Sequence, residues 1–102
     1  MAAKHFETRN FPVDKEKLMY NAKLAMFANG FELKYEDQKS GFIMAKSGFS
    51  LFSWGENLHI TVEDNGNVTI KSECAMPTQL IDWGRNKKIV HKIFATLATL
   101  RT

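Results

Sequence analysis

Cysteine is nearly absent. Cys74 is the only one in 102 residues, so no internal disulfide can form. A lone thiol suits a reducing compartment, and the expected location is cytoplasmic. No run of 18 apolar residues occurs, which excludes a membrane-spanning helix. The opening Met1-Ala2-Ala3-Lys4-His5-Phe6 lacks the apolar core of a signal peptide. Repeats, low-complexity tracts and linkers are missing too. So are a glycine-rich phosphate loop, a nucleophile elbow and a carboxylate pair of known spacing. The three histidines, His5, His59 and His91, fall on three different expected elements without metal-ligand spacing. A chain this short buries one core and leaves little room for an internal catalytic cleft. The expectation is one domain over residues 1–102, with no catalytic residue, no metal ligand and no cofactor.

Acidic residues are also missing locally. Between Gly84 and Thr102 stand Arg85, Lys87, Lys88, Lys92, Arg101 and His91, with no Asp or Glu. The net charge of +3 therefore belongs to the end of the chain, a mild bias toward anionic partners. A dedicated nucleic-acid module would be far more basic.

What is present reads as a regular pattern. Lys4 to Arg9 suits a first strand, with Phe6 and Thr8 on one face. Pro12 ends it, and Asp14 is placed to cap a helix over Lys15 to Asn29. In that helix Leu18, Ala22, Ala25, Met26 and Asn29 recur at helical spacing. Met19, Leu24 and Phe27 widen the stripe, and Gly30 follows as the terminator. Four strands come next. Phe31, Leu33 and Tyr35 alternate with Glu32, Lys34 and Glu36. Phe42 to Lys46 is apolar on both sides, which leaves its facing open. Leu58, Ile60 and Val62 alternate with His59, Thr61 and Glu63. Asp64-Asn65-Gly66-Asn67 is a hairpin turn, and Val68, Ile70 and Ser72 continue on the return strand. Ile89, Val90, Ile93, Phe94, Leu97 and Leu100 mark a closing helix, starting near Thr78 or near Asp82. The order is β-α-β-β-β-β-α. The fold class is α+β in two layers, an antiparallel sheet with both helices on one face and the other face wetter.

The polar chemistry gathers at two Trp-Gly corners. Ser53-Trp54-Gly55-Glu56-Asn57 opens a strand, and Asp82-Trp83-Gly84-Arg85-Asn86 opens the last helix. Asp82 and Asn86 fall on the core side with Ile89 and Ile93. They serve either as a fastener, with Asp82 capping backbone N–H groups and Trp83 packed over the sheet rim, or as a polar pocket between helix and sheet. If the helix starts at Asp82 or Gly84, then Arg85, Lys87 and Lys88 oppose the helix dipole. They then need an anion nearby, either Glu56 or a bound phosphate or carboxylate. Phe49, Leu51, Phe52 and Trp54 crowd one short connection. In extended chain Phe49 and Leu51 face one way, Phe52 and Trp54 the other, so one pair is expected to be more exposed. His59 is expected to be solvated on the outer face of its strand, and Cys74 to act as a small apolar residue.

The segments Ser50-Leu51-Phe52-Ser53-Trp54-Gly55-Glu56-Asn57 and Pro77-Thr78-Gln79-Leu80-Ile81-Asp82-Trp83-Gly84-Arg85-Asn86-Lys87-Lys88 resemble those of a group of small bacterial proteins of about this length. No established activity comes with that resemblance. The element order also resembles the TATA-binding-protein-like and helix-grip (Bet v 1-like) folds, a likeness of topology that carries no function by itself. DNA binding by the sheet would need a basic face with apolar wedges, whereas Glu32, Glu36, Glu63 and Glu73 place acid there.

The expected function is binding without catalysis. The first reading is a protein-interaction module, joining a protein partner or a second copy through Phe49, Leu51, Phe52 and Trp54 and the adjoining Glu56, Asp82, Trp83, Arg85, Asn86 and Lys88. The alternative is a carrier of a small apolar or anionic ligand held between the sheet and the last helix. A nucleic-acid binder comes third.

Overall fold

The structure is a computed structural model that describes residues 2–47, 55–76 and 80–100. Its elements are β1 (Lys4–Asn10), α1 (Lys15–Ala28), β2 (Glu32–Asp37), β3 (Phe42–Lys46), β4 (Glu56–Val62), β5 (Asn67–Cys74) and α2 (Arg85–Thr99). The strands form one antiparallel sheet in the order β1-β5-β4-β3-β2. The N-terminal strand thus closes against the last strand, while β2 to β5 run as a meander.

Inward positions alternate along the strands. Ile43 and Ala45 of β3, Leu58, Ile60 and Val62 of β4, and Val68 and Ile70 of β5 meet Leu18, Met19, Ala22, Ala25 and Met26 of α1 and Val90, Ile93, Phe94 and Leu97 of α2 in one core. This settles the facing of β3: Phe42 and Met44 lie on the other side of the sheet. Helix α1 starts where Asp14 accepts a hydrogen bond from Lys17 N–H at 3.1 Å. Past its end stands Gly30 at φ 84°. Met19 is buried, but Leu24 and Phe27 are exposed, so the widened stripe of α1 is covered on one side only.

Strand β2 departs from simple alternation. Its register on β3 shifts between Leu33 and Tyr35. A one-residue irregularity reverses every later side chain, because strand side chains alternate with period two. Tyr35 is therefore exposed, while Glu36 pairs with Lys23 of α1 at 2.8 Å. Glu36 does not belong to the outer face, and Glu63 lies just beyond the end of β4. The outer face instead carries Phe6, Tyr35, Phe42 and Met44, with Tyr35 and Phe42 in ring contact. His59 lies on that face, half-buried and so only partly solvated. Its ring stacks on Phe42, and its Nδ1 is buried without a hydrogen-bond partner among the described residues. Burial first, then the charge of Lys71, hold its pKa below the usual histidine value.

Among the described residues no helix is long and apolar enough to cross a membrane.

Candidate functional site

The start of α2 gathers most of the residues singled out in the sequence. Asp82 to Arg85 form a tight turn, with Arg85 N–H donating to Asp82 C=O at 2.9 Å. Its two central residues both have positive φ, Trp83 at 55° and Gly84 at 79°, which is the pattern of a type I′ turn. The helix begins at Arg85, three residues after Asp82 and well after Thr78. Gly84 offers no side-chain cap, so Asp82 reaches forward. Its carboxylate accepts from Gly84 N–H at 2.9 Å, Asn86 N–H at 3.2 Å and Asn86 Nδ2 at 2.6 Å. Burial works to raise its pKa, but these hydrogen bonds together outweigh burial and hold it below the usual aspartate range.

Asn86 is fully buried and ties three elements together. Its Nδ2 donates to Ala3 C=O, just before β1, at 3.1 Å, and contacts Cys74 Sγ at 3.4 Å. Its Oδ1 accepts from Ser72 of β5 at 2.8 Å. Buried polar groups cost free energy unless paired, and here the amide is satisfied at both ends. Asp82 and Asn86 thus act as a fastener. Cys74 is a buried thiol that also accepts a weak hydrogen bond.

One of the cations at the head of α2, Arg85, has an intramolecular acidic partner. Glu56, first residue of β4, is buried to 1 % side-chain exposure, and Arg85 Nε meets its Oε2 at 2.6 Å. Ser47 Oγ donates to Glu56 Oε1 at 2.7 Å and accepts from Glu56 N–H at 2.8 Å. Two carboxylates, those of Asp82 and Glu56, therefore offset the helix dipole that Arg85, Lys87 and Lys88 oppose. Beside this pair lies a cleft of about 420 Å³, lined by Phe31, Ser47, Glu56, Arg85, Lys88 and Lys92 among others. A second cleft of about 440 Å³, mostly apolar, lies at the far end of α2 between Phe11, Val13, Leu18, Leu97 and Leu100.

Trp83 does not pack over the sheet rim. It is 88 % exposed, and Leu80 and Ile81 beside it are 69 % and 63 % exposed. The tethered carboxylate of Asp82 fixes the backbone between them, so Leu80 and Ile81 just before an anchored turn and Trp83 on it are all exposed apolar side chains. Phe49, Leu51, Phe52 and Trp54 lie outside the described residues.

One grouping escaped the sequence reading. His5 and Glu7 share the helix-facing side of β1, and His91 of α2 comes down onto them. His5 Nε2 lies 2.7 Å and His91 Nε2 2.5 Å from the same oxygen, Glu7 Oε2. Hydrogen bonds from His5 and then His91 hold the Glu7 carboxyl at a pKa of about 2. The His-x-Glu spacing was the available signal, since residues two apart on a strand share a face. The approach of His91, 84 positions away, was not readable. No protein-family model matches this sequence, and no curated protein is significantly similar to it.

Proposed function

We propose that this domain binds another protein without catalysing a reaction, and that it docks through the ridge of Leu80, Ile81 and Trp83. One observation carries the reading: a tryptophan that is 88 % exposed in the left-handed region of backbone space. A bulky residue there costs about 1–3 kcal/mol, and an exposed ring recovers little of that by burial. Strain kept at an exposed aromatic side chain is what a docking anchor requires, because tryptophan gives large contact area at interfaces. The exposed Arg85, Lys87 and Lys88 next to the ridge favour a partner whose apolar surface is edged by carboxylates. The element order supports a TATA-binding-protein-like or helix-grip relationship, the single cysteine supports a cytoplasmic setting, and the resemblance of the two Trp-Gly segments supports a bacterial source.

The test is native mass spectrometry and light scattering of the parent and of the double variant Leu80→Ser/Trp83→Ser, with circular dichroism as the fold check. The parent is expected to hold a partner or a second copy that the variant loses. A parent that stays monomeric at high concentration and carries no bound protein overturns the reading.

A second reading rests on the cleft between α1 and α2. Lys88 and Lys92 line it together with Phe31 and Ile89, beside the Arg85–Glu56 pair, and the two lysines suit a small organic anion. A carboxylate ligand such as citrate should then raise the melting temperature of the parent and not of Lys88→Ala/Lys92→Ala.

A further inference from the structure

We propose that His5, Glu7 and His91 form a binding site for a divalent transition-metal ion of the zinc class, joining β1 to α2. Two imidazole Nε2 atoms and one carboxylate oxygen converge there, all within 4.8 Å of one another. Zinc holds nitrogen and oxygen ligands at about 2.0–2.2 Å, which sets tetrahedral ligand atoms about 3.3 Å apart. The present separations of 2.7 and 2.5 Å are hydrogen-bond contacts. Each has to open by less than about 1 Å to admit the ion, within the reach of side-chain rotation.

The surroundings suit such a site. His5 and Glu7 come from β1, which among the described residues is an edge strand paired with β5 alone, so the group stands at the margin of the sheet. All three side chains are partly exposed, which leaves an entry path and room for water to complete the coordination. The two rings stand at 83° to each other, so their nitrogens point inward from different directions. Arg9 donates to the other carboxylate oxygen, Glu7 Oε1, at 3.2 Å, and its guanidinium lies 4.5 Å over the Phe94 ring. That clamp orients Oε2 toward the imidazoles, as supporting groups around metal ligands do. Two imidazoles and one carboxylate favour zinc, copper, nickel or cobalt over calcium or magnesium, which prefer oxygen alone. Three protein ligands leave a position open, so the ion can accept water or a small anion.

Binding releases the Nε2 protons or shifts them to Nδ1, freeing the lone pairs. The ion would then tie the N-terminal strand to the closing helix beside the hydrogen bond from His91 to Glu7 and the Arg9 contact with Phe94.

The test uses the full untagged chain, stripped with a chelator and dialysed. Zinc chloride is titrated by calorimetry, and cobalt(II) is followed by visible absorption. The parent is expected to bind one equivalent. His91→Ala and Glu7→Gln should weaken binding by at least about tenfold, and zinc should raise the melting temperature of the parent but of neither variant. The cobalt spectrum should show ligand-field bands without a thiolate charge-transfer band. If His91→Ala fails to fold by circular dichroism, His5→Gln takes its place. Absence of saturable binding by the parent, equal affinity in the variants, or a thiolate band that traces the metal to Cys74 would each overturn the proposal.

Discussion

Trp83 and Asp82 are neighbours with opposite roles. Position 83 is the first central residue of a turn whose φ values suit Asn, Asp or Gly, and tryptophan is a poor occupant. Trp83→Asn should therefore raise stability by about 1 kcal/mol in urea melts, while weakening any docking through the ridge. An unchanged or lower midpoint would mean that the ring contributes packing its exposure does not suggest. Asp82→Ala should cost about 1–2 kcal/mol, as lost helix caps do. The sign with pH follows from its depressed pKa. Asp82 binds its proton less readily folded than unfolded, so its contribution is present above the ordinary aspartate range and is lost as pH falls through the folded value. The stability gap between parent and Asp82→Asn should accordingly be widest near neutrality and shrink below about pH 4.

At the scale of elements, the joints matter more than the elements they join. Glu56 and Arg85 link the start of β4 to the start of α2, and their exposures differ sharply, 1 % against 45 % for the side chains. Arg85→Ala takes the positive charge away from a buried carboxylate that also accepts from Ser47, whereas Glu56→Gln frees a guanidinium that water can reach. Arg85→Ala should then be the costlier change, by about 1–2 kcal/mol, and a double-mutant cycle should show clear coupling. Coupling indistinguishable from zero would mean the pair is not a joint. The β2–β3 turn offers a comparison of glycines. A Cβ on Gly41 would stand 2.0 Å from Val62 O, while one on Gly30 would meet nothing within 4 Å. Both have positive φ, so Gly30→Ala should cost about 1 kcal/mol from backbone strain. Gly41→Ala should cost markedly more, because Gly41 C=O also accepts from Val62 N–H at 2.7 Å. Equal midpoints for the two variants would contradict the close approach.

For the molecule as a whole, the sheet order sets where stability is greatest. β4 and β5 are paired on both sides and send Leu58, Ile60, Val62, Val68 and Ile70 into the core. β2 is an edge strand with an interrupted register. Amide hydrogen exchange should be slowest in β4 and β5 and faster in β2, since local opening follows buried contacts and pairing. Slow exchange in β2 would show that its outer edge is covered in solution. The same topology lays the start of the described chain along the first half of α2: Ala3 C=O accepts from Asn86, and β1 carries the residues that meet His91.

Element order, the cap at Asp14, the stop at Gly30 and the hairpin at Gly66 were legible in the sequence because each depends on residues a few positions apart. Helical and strand periodicity report local burial, and that was enough to predict a sheet with two covering helices. The reversal of Tyr35 and Glu36 was not legible, since an extra strand residue leaves the alternation intact in the letters and shows only in pairing with β3. Exposure of Trp83 escaped for a similar reason. An aromatic residue beside a glycine reads as packing, and only the turn geometry turns it outward. The pairing of Glu56 with Arg85 could be suggested from charge and helix dipole, but its burial and its tie to Ser47 belong to the folded chain. The meeting of His5, Glu7 and His91 was decided wholly by tertiary structure, because β1 and α2 come from opposite ends of the chain and contacts over 84 positions leave no period for a sequence to display.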